Sequence, residues 1–154
     1  MTGQLLRVLE ISNIPMRADI QAAIGASPDQ YINGQGAMMK PQLLFGVEWA
    51  QKNCHEKVLR MGWAALGYRT LGAPILGMFV LTESRLCFVR KDIKERKDGN
   101  IQVYEISSIS DVQTSGWLAL TGVSFAVKGK PGRVEWQRIH KGNAAAIVNQ
   151  IVKR

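Results

Sequence analysis

The spacing of apolar positions along this chain changes from helical to strand-like near residue 56 and back to helical near residue 143. Met16, Ile20, Ala23 and Ile24 fall on one helical face, with Ser12 or Asn13 as cap, Pro15 near the first turn and Gly25 as the stop. Ser27-Pro28-Asp29-Gln30 repeats the start signal in capping-box spacing, and the two glycines of Asn33-Gly34-Gln35-Gly36 make Ile32 to Met39 a connector. Pro41 to Asn53 reads as a further helix, with a strand over Leu43 to Trp49 as the competing reading.

Strand patterning begins after Glu56. Val58 to Leu66 alternates imperfectly, with a bend or bulge expected from Gly62 and the small pair Ala64-Ala65, and Gly67 to Pro74 is a loop. Gly77 to Thr82 and Arg85 to Lys91 are two apolar runs flanking the polar step Thr82-Glu83-Ser84-Arg85, which predicts a tight hairpin. The charged loop Lys91 to Asn100 ends in the turn pair Asp98-Gly99, and Ile101 to Ile106 alternates as the next strand. Ile106, Ile109 and Val112 recur every third residue, a period that fits neither helix nor strand, so the chain is expected to end a strand there, turn a corner and restart. Val123 to Val127 and Arg133 to Gln137 are a last strand pair about the turn Lys128 to Gly132. Asn143 then caps a final amphipathic helix with Ala144, Ile147, Val148 and Ile151 on its apolar face and Lys153 and Arg154 at its negative end.

Three of these stretches, in this order, resemble the bacterial pleckstrin-homology-like (PH-like) domains: the Gly77 to Val89 hairpin, the Ile106 to Val112 corner followed by Gly116-Trp117-Leu118, and the closing helix. The resemblance spans residues 56–154. It implies an α+β, mainly β fold: a bent seven-stranded sandwich or barrel whose open end is capped by the C-terminal helix, preceded by a helical and flexible arm at residues 1–55. It also implies a binding scaffold rather than one ligand, because the superfold hosts lipid-binding, peptide-binding and assembly roles.

The chain of 154 residues is 46% hydrophobic and 21% charged, ordinary for a globular protein with a real core. Its longest apolar run, Ala73 to Leu81, is too short to span a membrane and contains Pro74, and the N-terminus lacks the cations of a secretory signal, so a cytoplasmic protein is expected. Cys54 and Cys87 show no disulfide spacing. The net charge of +8 is uneven: four basic and four acidic residues cancel in 1–55, and 56–154 carries the whole excess. An anionic partner is therefore one expectation for the domain, and solubility alone is the competing one.

Candidate chemistry is sparse. The two histidines, His55 and His140, form no metal-ligand spacing, and neither a nucleophile elbow nor a phosphate-binding loop occurs, so no catalytic, metal or cofactor residue is assigned. The phosphoinositide-binding first loop of eukaryotic PH domains corresponds to Gly67 to Pro74, which offers Arg69 alone. Lys128, Lys130, Arg133, Arg138 and Lys141, with Glu135 as the one counter-charge among them, form the candidate anionic-surface site. Trp117, Leu118 and Leu120 form the candidate interface, while Trp63, Phe79, Phe88 and Phe125 are assigned to the core. The expected function is a non-catalytic binding module for protein assembly, with self-association among its modes. A peripheral binder of anionic lipid at the inner face of the membrane is the alternative, and a small hydrolase using His55 or His140 the second alternative. Nucleic acid is disfavoured, because cations and aromatic residues are not interleaved on one face.

Overall fold

The computed structural model describes residues 16–27, 39–66, 75–91, 101–116 and 120–153. Ile75–Thr82 (β2) and Arg85–Val89 (β3) form the central hairpin, paired antiparallel from Leu81↔Leu86 to Met78↔Val89. Phe79, Leu81, Leu86 and Phe88 point into one core and Met78, Val80, Cys87 and Val89 into another. Burial on both faces is why these strands read as continuous apolar runs instead of alternating ones. Neither Glu83 nor Ser84 has the positive φ of the favoured two-residue turns, so side chains hold the turn instead. Thr82 Oγ1 accepts from the Arg85 N–H at 3.0 Å, and Glu56 Oε1 accepts from the Ser84 N–H at 2.9 Å and its hydroxyl at 2.7 Å. Gly77 is required by space: a Cβ there would lie 2.7 Å from the Val89 carbonyl oxygen and 2.8 Å from the Phe88 ring.

Val58–Leu66 (β1), Ile101–Glu105 (β4), Ile109–Ser115 (β5), Leu120–Val127 (β6) and Arg133–His140 (β7) complete one antiparallel sheet in the order β4-β3-β2-β1-β7-β6-β5. Its two outermost strands, β4 and β5, are joined by only the three residues of a 3-10 turn, Ile106–Ser108, so the sheet must bend until those strands meet at one corner. The corner is fastened on both sides, by Ile106 N–H to the Ser84 carbonyl and Lys128 N–H to the Ser108 carbonyl, each at 2.8 Å. Ile106 and Ile109 are buried there and Val112 is half-buried, which accounts for the three-residue period. The irregularity of β1 lies at Leu59, between Val58 and Arg60, rather than at Gly62. With the helix Lys141–Lys153 (α3) these strands make the α+β, mainly β arrangement that the sequence implies, a bent seven-stranded sheet with a C-terminal helix.

Ala18–Ala26 (α1) and Met39–Asn53 (α2) pack on the outer face of β1–β3, so helix and not strand forms over Leu43 to Trp49. Ile20, Ala23, Ile24, Leu43, Val47 and Ala50 bury themselves against the outward side chains of those strands, Trp63 among them. Gly25 does not end α1, which runs on to Ala26. The Ser12 or Asn13 cap, the pairing of Ser27 with Gln30 and residues 32–38 of the connector lie outside the described residues, as do the loops over 67–74 and 92–100.

The start of α1 is secured by a device the sequence did not announce. Arg17 forms a two-pronged ion pair with Asp19, at 3.0 and 2.6 Å, while its guanidinium also donates to the carbonyls of Cys54 and Glu56. Asp19 Oδ2 in turn accepts from the Val58 N–H at 2.9 Å, so two side chains clamp α1 to the link between α2 and β1. The hydrogen bonds from Arg17 pull the Asp19 carboxyl down from 3.8 to about 2. A carboxylate depressed on folding stabilises the protein above its unfolded value and stops doing so as pH falls through the folded one. About 2 kcal/mol is therefore expected to be present at neutral pH and lost between roughly pH 4 and 2, and Asp19→Asn should remove that acid-sensitive increment. Urea unfolding of both proteins at neutral pH and at pH 3 checks this, and parallel acid dependence of the two would count against the clamp.

Helix α3 closes the bent sheet, with Ala144, Ile147 and Ile151 buried in the inner core with Phe79, Phe88, Phe125 and Trp136. It begins two residues before the expected cap. Asn143 is a fully buried first-turn residue whose amide donates to Ser27 Oγ at 2.9 Å, tying α3 to the end of α1. The capping acceptor is His140 Nδ1, which takes the Gly142 N–H at 3.1 Å. Among the described residues, no helix is long and apolar enough to cross a membrane.

Candidate binding groove

The sheet leaves a groove where the ends of β5 and β6 meet α3. Strand β5 pairs with β6 through Ile109↔Val127 and Ser115↔Gly122, and its other edge is unpaired among the described residues. A bulge interrupts it at Asp111 and Val112, with Asp111 in the left-handed region at φ 51°. Arg133 fixes that bulge, its guanidinium donating to the Asp111 carboxylate and carbonyl, both at 2.6 Å, and to Ser124 Oγ at 3.0 Å. Further along, Thr121 Oγ1 donates to the Ser115 carbonyl, and Gly116 turns the chain at φ 94°.

Beyond that point Thr114, Gly116 and Thr121 form the floor of a recess of about 330 Å³, and Lys141, Ala144, Ala145, Val148 and Asn149 form its helical wall. A second recess of about 260 Å³ shares Gly116 and Thr121 and extends past Leu120 to Gln137 and Arg138. Arg138 reaches it because β7 also bulges there: Thr121 pairs with Ile139 and Val123 with Trp136, so two residues of β7 stand opposite Gly122, with Arg138 at φ 58°. The outcome is a furrow with an open strand edge on one side, small apolar helix residues on the other, and two exposed cations at its mouth. Sequence reading missed the two bulges that shape the furrow, because their left-handed residues, Asp111 and Arg138, are an aspartate and an arginine where glycine would have signalled the bend.

The five candidate cations separate into two groups. Lys128 and Lys130 are exposed on the β6–β7 turn, whose glycines Gly129 and Gly132 adopt φ of 82° and 76°, and Arg133 stands beside them with its guanidinium committed to Asp111. Arg138 and Lys141 lie at the other end of β7, since five strand residues beyond Arg133 amount to about 16 Å. Of the candidate interface, Leu120 is half-buried in the second recess, and Trp117 and Leu118 lie outside the described residues.

The remaining chemistry-bearing residues serve other ends. Both cysteines are buried, and loss of solvent raises their thiol pKa values, that of Cys87 to about 12, which leaves little nucleophilic thiolate at neutral pH. His55 is exposed after α2, and the neighbouring Glu56 carboxylate, bound to Ser84, is held below the ordinary carboxylate range by hydrogen bonds from Thr82 and Ser84.

No protein-family model and no curated protein matches the sequence. Among solved structures, the chain is similar to a DUF1696 family protein with a pleckstrin-homology domain from Shewanella loihica PV-4, at 18% identity over 69% of this chain and 89% of that one, with a TM-score of 0.44.

Proposed function

We propose that this chain is a non-catalytic protein-binding module, an assembly or adaptor domain, which receives an extended acidic segment of a partner protein in the groove between β5 and α3. The observation that carries the reading is the unpaired edge of β5 facing the wall of α3 across a basic-mouthed recess. A segment laid along that edge gains main-chain hydrogen bonds from the strand, while pockets beside it select side chains. Ala144, Ala145 and Val148 supply the apolar contact, and Arg138 and Lys141 supply attraction that steers an acidic segment to this end of the molecule.

The test is a fluorescence titration with acidic peptides selected by display against the chain. Lys141→Glu combined with Arg138→Glu is expected to weaken binding at least about tenfold, the effect of some 1.4 kcal/mol, and raised salt to weaken the native complex. Lys128→Glu with Lys130→Glu should leave peptide binding unchanged. A second reading, binding to an anionic membrane surface, is favoured by the exposure of Lys128 and Lys130 on a glycine-flanked hairpin tip. It would replace the first if the chain sediments with phosphatidylserine vesicles, loses that binding when Lys128 and Lys130 are reversed, and takes up no acidic peptide.

A further inference from the structure

Another recess, of about 160 Å³, lies between the end of α2 and the outer face of β3, and both cysteines of the chain line it. Cys87 stands on β3 between Val80 of β2 and Val103 of β4, and Cys54 follows α2, its N–H donating to the Ala50 carbonyl at 2.8 Å. Both thiols are free and belong to the core that α1 and α2 share with β1–β3. They are near enough for charge on one to be felt by the other: burial first, and then the charge of Cys54, raise the Cys87 thiol. The exposed residues Asn53 and His55 stand at the mouth of the recess, and Arg85 completes its polar lining with Glu56 and Thr82. A buried thiol ordinarily serves as a small apolar side chain. Two thiols lining one recess that also holds a guanidinium are a different arrangement.

Donor type and charge select the occupant. Thiolate sulfur is a soft donor that favours soft ions such as copper(I) over magnesium or calcium. Zinc prefers four ligands, and among the described residues no three His, Cys, Asp or Glu side chains are grouped so as to hold a metal ion. Copper(I) is satisfied by two sulfurs, because its closed d shell imposes no higher coordination number. Binding exchanges the two thiol protons for one Cu⁺, and the bis-thiolate complex so formed keeps one net negative charge, which needs a cation beside it in the core. Arg85 lines the recess, and the Arg17 guanidinium donates to the Cys54 carbonyl, so cations flank the thiols from two elements. Arg85 also pairs with Glu105 at 3.3 Å, and Glu56 is tied to Ser84 by hydrogen bonds at 2.9 and 2.7 Å. We infer that Cys54 and Cys87 form a two-thiolate site for a soft monovalent metal ion of the copper(I) type, entered past His55. The site is separate from the β5–α3 groove and does not depend on the reading given to it.

The experiment titrates the reduced full chain with copper(I) under nitrogen in competition with bathocuproine disulfonate, whose loss of visible absorbance counts the ions taken up by the protein. The expected result is one ion per chain, two protons released with it, and a thiolate-to-copper charge-transfer band in the ultraviolet. Cys54→Ser, at the more exposed of the two positions, is expected to keep the native melt and weaken uptake at least about a hundredfold, and Arg85→Gln to weaken it about tenfold, as loss of an outer partner does. Should Cys54→Ser fail to fold, X-ray absorption of the copper-loaded native chain decides: two sulfur ligands support the site, and nitrogen or oxygen ligands alone contradict it. No uptake against the competitor, two ions held independently by one thiol each, or undiminished uptake by folded Cys54→Ser, which would place the ion on the methionines, would each overturn the inference.

Discussion

Trp136→Ala is expected to lower stability by about 3–5 kcal/mol, a large share of what a domain of this size possesses. Trp136 is 1% exposed, and it is where the halves of the bent sheet meet. It pairs with Leu66 of β1 on one side and Val123 of β6 on the other, so the strand ladder crosses the bend through its backbone. Its ring lies 5.6 Å from that of Phe125, 5.8 Å from Phe88 and 6.4 Å from Tyr104, and its indole N–H donates to Gln102 Oε1 at 3.3 Å. Alanine forfeits the packing of all three rings and opens a cavity that two paired strands prevent from collapsing. Trp136→Phe should cost much less, since it keeps most of the ring and leaves Gln102 Oε1 with the Tyr104 hydroxyl at 3.1 Å. Urea midpoints at constant slope check the pair, and equal losses for the two substitutions would contradict a packing origin.

Ile24→Asp is expected to be equally severe, costing about 3–5 kcal/mol. Ile24 is 1% exposed in the core that α1 and α2 share with β1–β3, and a carboxylate placed there would lose its water. Ala22→Asp, at an exposed position of the same helix, should change stability by no more than about 0.5 kcal/mol. The contrast reports whether the N-terminal helices are part of the cooperative core. If both variants unfold at the native midpoint, α1 contributes nothing to it.

The readable parts of the sequence were those in which a local pattern coincides with a burial pattern. The β2–β3 hairpin was legible because Phe79 and Phe88 on one face and Met78 and Val89 on the other leave no polar interruption before Thr82-Glu83-Ser84-Arg85. The Ile106-Ile109-Val112 period was legible as a corner because no regular element supports it. α3 announced itself through Ala144, Ile147 and Ile151, although its cap did not, since Asn143 serves a buried contact with Ser27 that a capping rule cannot foresee. The Arg17–Asp19 clamp was hidden because its acceptors lie 37 and 39 residues away. The spatial division of the basic residues was not legible, because neighbours along a strand can stand at its opposite ends: β7 carries Arg133 to the bulge of β5 while delivering Arg138 to the groove.

Hydrogen exchange of the chain, alone and saturated with a display-selected acidic peptide, tests the binding account most directly. The account predicts slowed exchange of amides in β5 and along the first turns of α3, with the β6–β7 turn from Lys128 to Gly132 unaffected. Protection confined to that turn, or a bound peptide that leaves β5 exchanging at its native rate, would contradict it.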